Sequence, residues 1–147
     1  MDNRLSKGIM AGLIGTGVMT MITMLAPMMG LPKMSPPAML AGMLGMPLAV
    51  GWVMHFMIGV MFALAYTFLF APAVGITNQW VKGAIFGLAV FGFAQVMMAV
   101  MGMMRPMPPM EGAMLPMMMG SLFGHLAYGM TVAKAASPIT SPARVTG

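Results

Sequence analysis

His55 and His125 are the only histidines in this chain of 147 residues, and each stands inside a long apolar run. An imidazole so placed can ligate a metal, hold a haem iron or carry a proton. The same spacing surrounds both. Gly51, His55, Gly59 and Ala63 fall at every fourth position, and so do Ser121, His125, Gly129 and Ala133. That spacing puts each set on one face of a helix, so both rings belong to a stripe of small residues. Thr20 and Gln95 hold matching places in two other apolar runs, at a depth like that of the histidines. Each is expected to orient a neighbouring imidazole by a hydrogen bond, as the outer partners of metal-bound histidines do.

The second chemistry is that of thioether sulfur. There are 26 methionines and no cysteine. In the topology read below, only Met1, Met10, Met61 and Met130 fall in the inner half of the membrane. Methionine used as apolar filler has no reason to prefer one leaflet. Thioether is a soft ligand that suits Cu(I) or Ag(I), and imidazole joins it readily. The expected metal ligands are therefore His55 and His125, buried, with Met28, Met34, Met104 and Met107 as outer capture ligands. Copper is the candidate ion. The plain alternative is that methionine supplies an adaptable apolar surface. A second cofactor reading is a b-type haem held axially by His55 and His125. Lys33 and Arg105, in matching outer linkers, would then face its propionates. A third is a structural or accessory subunit of a membrane complex, with no ligand.

Other chemistries lack their residues. The only acids are Asp2 and Glu111, so no carboxylate pair exists for acid–base work, and a proton-coupled transporter would lack its intramembrane acid. Ser121 lies one turn from His125, but no acid orients that histidine, and Ser121 reads as the packing counterpart of Gly51. Catalysis is not expected. The formal net charge is +5, yet the basic residues are scattered singly with no aromatic-lined stripe, which argues against nucleic acid.

The elements that must position these groups follow from composition. The chain is 60% hydrophobic and 6% charged, with mean hydropathy +0.92. Soluble domains carry about 25% charged residues, so no water-facing shell can be built. Four spans are expected, at about 7–28, 47–70, 80–103 and 116–136, each near the ~20 residues that cross a bilayer. The fold class is thus all-α and integral to a membrane, a single four-helix bundle over 1–136. Residues 38–46 are apolar but too short to cross, and should lie in the interface or dip in and return. The tail, 137–147, is polar, contains proline and is expected to be disordered. Arg4 and Lys7 precede the first run without a cleavage site after it, so an uncleaved first span is expected. Arg4, Lys7, Lys82, Lys134 and Arg144 gather on one side, against Lys33 and Arg105 on the other. The positive-inside rule then places both termini in the cytoplasm. The bilayer is the expected surrounding; a membrane-protein partner or a second copy leaves no mark in the sequence.

The chain also repeats itself. Lys7-Gly8 with Gly12-Leu13 recurs as Lys82-Gly83 with Gly87-Leu88, Pro36-Pro37 as Pro108-Pro109, and the Gly51–Ala63 stripe as Ser121–Ala133. The order is kept, with repeat one at about 7–70 and repeat two at about 80–136. Each copy holds two spans, so the copies share one orientation and the pseudo-twofold axis lies along the membrane normal. Small residues at fourth positions let the helices approach closely. Equal depth of the two imidazoles follows from the symmetry.

The stretch Ala26-Pro27-Met28-Met29-Gly30-Leu31-Pro32, then Pro36-Pro37, then Gly51-Trp52 with His55-Phe56 and Gly59 resembles an uncharacterised family of small prokaryotic membrane proteins carrying a domain of unknown function. The resemblance covers most of residues 7–134. It implies four spans of about this length and no activity.

Overall fold

The computed structural model describes residues 3–104 and 114–140, and every element among them is helical. Helix α1 (Asn3–Leu25) stops where Pro27 removes a backbone donor; a 3-10 turn, Ala26–Met29, follows. Gly30, at φ 77, closes that turn by donating to the carbonyls of Ala26 and Pro27. Helix α2 (Pro36–Leu44) starts on Ser35, whose Oγ accepts the Ala38 N–H at 3.4 Å, with prolines in a first turn that needs no donor. This is the short apolar segment between the first linker and Pro47, and it folds back along α3.

Helix α3 (Leu48–Ala73) carries a π turn at Tyr66–Phe70. The i→i+5 pattern would give the Thr67 carbonyl to residue 72, which is Pro72 and has no N–H. Arg4 Nη2 donates to that carbonyl instead, at 3.3 Å. Lys82 Nζ does the same for Ala71 O, also at 3.3 Å. Cations thus complete the C-terminal end of α3, where carbonyls lack partners and the helix dipole is negative. Helix α4 (Gln79–Met104) is capped by Asn78, whose Oδ1 accepts from the N–H groups of Trp80 and Val81.

Helix α5 (Met114–Thr140) runs past Ser137, where the disordered tail was expected to begin. Pro138 leaves the Lys134 carbonyl without its helical donor, and Ser137 Oγ supplies one at 2.8 Å. That local substitution lets the helix continue to Thr140. The rest of the expected tail, 141–147, lies outside the described residues.

Among the described residues three helices, Asn3–Met29, Leu48–Ala73 and Gln79–Met104, are long and apolar enough to cross a membrane. Their outward faces carry large apolar side chains, among them Met21, Val53, Leu69 and Val96. Such surface suits hydrocarbon and not water. In the interior, α1 packs between α3 and α5, and α4 lies along α5. Helices α3 and α4 meet through rings: Phe62 with Phe93, and both Tyr66 and Phe70 with Phe86, at centroid distances of 5.0 to 5.4 Å. Tyr66, Phe86, Val90, Tyr128, Val132 and Ala133 form the centre of the core. No buried side-chain nitrogen or oxygen among the described residues lacks a hydrogen-bond partner.

Both hairpins bring their helices together on glycine, but in different registers. In the first, a Cβ on Gly12 would lie 2.6 Å from the Cα of Val60. The sequence counterparts are Gly87 and Met130. In the second hairpin the Cα of Met130 instead faces Gly83, also at 2.6 Å, while Gly87 faces Leu126 Cα at 3.0 Å. Helix α4 is displaced along α5 by one helical turn, about 5.4 Å, relative to α1 along α3. The repeat therefore conserves the mode of contact and not its register.

Candidate functional site

The site is built on the turn of α1 from Met19 to Thr23. His55, on α3, reaches Thr20: its Nε2 lies 2.9 Å from Thr20 Oγ1. His125, on α5, follows Gly124, where a Cβ would meet Thr23 Cγ2 at 3.2 Å and Met19 Cγ at 3.4 Å. Both histidines thus flank one turn of α1 from different helices. Both are buried.

The hydrogen bonds fix which nitrogen of each ring carries hydrogen. Thr20 Oγ1 lies 2.8 Å from the carbonyl of Thr16, and its single hydrogen goes there. Its contact with His55 must therefore run from the ring: Nε2–H donates, and Nδ1 keeps its lone pair. His125 Nδ1 lies 2.7 Å from the carbonyl of Ser121. A carbonyl only accepts, so Nδ1–H donates and Nε2 keeps its lone pair. The two neutral imidazoles hold opposite tautomers. Neither His55 Nδ1 nor His125 Nε2 has a hydrogen-bond partner among the described residues. Long-range proton–nitrogen NMR of histidine-labelled protein should show one ring protonated at Nε2 and the other at Nδ1; two identical tautomer patterns would contradict the network.

The register difference decides what faces each ring. Thr20 faces His55. Its counterpart Gln95 is half-buried and makes no hydrogen bond to His125 among the described residues. One turn away, Phe91 takes that place, its ring 5.7 Å from the His125 imidazole, edge to face. Phe91 is the sequence counterpart of Thr16, as a one-turn displacement requires. His125 turns back to Ser121 on its own helix for its acceptor. That acceptor is the Ser121 backbone carbonyl, one turn back on the same helix, which any residue at this position would supply.

The methionines separate by burial. Met34 is 8% exposed, and its Sδ would lie 2.9 Å from a Cβ on Gly120, on the turn of α5 just outward of Gly124. Met28 and Met104 are 83% and 78% exposed. Lys33 is exposed. Met107 and Arg105 lie outside the described residues. Met19, which no sequence pattern singled out, is buried and packs against Gly124 of α5. No cluster of three or more His, Cys, Asp or Glu side chains occurs among the described residues.

A family model described as "Family of unknown function (DUF6789)" matches residues 2–145. No curated protein and no solved structure matches the chain.

Proposed function

The chain belongs to that family of unknown function, and from this premise we propose that it is a non-enzymatic integral membrane protein that holds a soft metal ion, copper, through His55 and His125. One observation carries the reading. Each imidazole donates its N–H to a fixed oxygen, Thr20 Oγ1 or the Ser121 carbonyl, and its other nitrogen keeps a lone pair with no partner among the described residues. Metal-bound histidines are oriented in this way.

In this reading α5 is the fourth span, the two hairpins are related by a pseudo-twofold axis along the membrane normal, and the chain lies in the prokaryotic inner membrane with both termini cytoplasmic. The paired rings then lie in the outer half, the half that holds most of the methionines, with Met28 and Met104 as exposed first contacts for an incoming ion. Cations at the inner end of the bundle, Arg4 and Lys82, agree with the positive-inside rule. The haem alternative is weaker. The Met19–Thr23 turn packs against both histidine-bearing helices, and the glycine contacts of both hairpins bring helix backbones together. A macrocycle would have to displace that packing.

The test is elemental analysis of the detergent-purified chain after exposure to Cu(I), beside His55→Ala and His125→Ala. Wild type should retain copper stoichiometrically, and each variant should lose most of it. Equal copper in all three proteins would remove the proposal. An absorbance spectrum of the same samples reads out haem independently.

A further inference from the structure

The buried glycines of α5 are of two kinds. At Gly129 the neighbour is backbone: a Cβ would lie 2.6 Å from the Cα of Gly87. At Gly120 and Gly124 no backbone approaches. The space is filled by side chains, Met34 Sδ at the first and Met19 with Thr23 at the second. Helix α5 thus gives up its own side chains at two successive turns, and the side chains of Met34, Met19 and Thr23 occupy the room. Met19 and Met34 are also the only buried methionines among the described residues, each 8% exposed. Met19 precedes Thr20, which holds His55, and faces Gly124, which precedes His125. Met34 lies one turn outward along the same line of α5.

Resting on the reading that the histidine pair holds a soft metal, we infer that Met19 and Met34 are thioether ligands that join His55 Nδ1 and His125 Nε2 in an uncharged nitrogen–sulfur site, selective for monovalent Cu(I) or Ag(I) over divalent ions. The selectivity has two causes. Thioether sulfur favours soft ions such as Cu(I). Charge adds the second. The chain's only acids are Asp2 and Glu111, both outside the described residues, and the four donors named here are all neutral. The cost of holding an ion away from water rises with the square of its charge. A divalent ion would keep its full charge among these ligands, whereas a monovalent one bears a far smaller penalty.

The test uses Ag(I), which needs no reductant, on the full detergent-purified chain. Silver absorption-edge spectra should show sulfur as well as nitrogen in the first shell. Met19→Leu and Met34→Leu conserve side-chain volume. Each should weaken silver binding at least as much as a lost outer-shell partner does, on the order of 10- to 100-fold, and reduce the sulfur signal. Zn(II) should compete poorly. Silver bound by nitrogen alone, or Zn(II) bound as tightly as Ag(I), would overturn this inference while leaving the histidine pair as a metal site. No silver bound at all would overturn both. The spectrum of the unmutated protein decides the point even if a leucine variant fails to fold.

Discussion

Gly129→Ala is expected to destabilise the bundle severely, whereas Gly92→Ala should leave it unchanged. Both positions are glycines in the middle of long helices, so helix propensity alone predicts a gain from either change. The surroundings differ. A methyl group on Gly129 would run into the Gly83 carbonyl and the backbone of Gly87. Nothing there can rotate away, because the obstructing atoms are backbone. Helices α4 and α5 would have to separate, and overpacking of this kind costs about 1–3 kcal/mol or more. Separation would also loosen the neighbouring turn that carries His125. At Gly92 a Cβ meets nothing within 4 Å, as expected for a face turned outward. Denaturation of the two variants in mixed detergent micelles checks the contrast. Equal stability of the two would mean that α4 and α5 do not pack as described.

Thr20→Val should cost metal affinity on the order of 10- to 100-fold, while Gln95→Leu should cost little. This outcome separates the structure from the sequence, which makes the two residues equivalents. Valine matches threonine in shape and removes the hydroxyl that accepts the His55 Nε2 proton. The ring loses the bond that fixes its tautomer, and a buried N–H is left without an acceptor. Gln95 makes no bond to His125, which is held instead by the Ser121 carbonyl. Competition against a Cu(I) chelator measures both variants. Histidine nitrogen NMR supplies a second readout that mere loss of packing would not move: the His55 tautomer should change in Thr20→Val and persist in Gln95→Leu. Equal losses in the two variants would show that the hairpins share one register after all.

Much of the molecule was legible because hydropathy and spacing are local properties. The shortage of charges required helices with apolar exteriors, and prolines and glycines marked where they end. Gly30 and Gly45 adopt positive φ at their turns, and Pro27 and Pro72 accompany the 3-10 and π departures from α-helix. Fourfold spacing placed His55 and His125 on their stripes. The pairing of Thr20 with His55 followed from depth alone, since polar groups at one level of an apolar bundle have few other partners.

The sequence by itself determined a helical, membrane-suited chain with duplicated small-residue stripes and two embedded imidazoles. The tertiary structure decided the register. A glycine stripe permits close approach at any of its steps, because successive glycines one turn apart offer nearly the same contact. The stripe therefore cannot say whether Gly83 or Gly87 faces Met130. That single turn determines that Phe91 and not Gln95 meets His125, and it leaves Ser121 to hold the ring. Which methionines are buried was equally hidden, for Met19 and Met34 pack against Gly124 and Gly120, which are distant in sequence and adjacent in space.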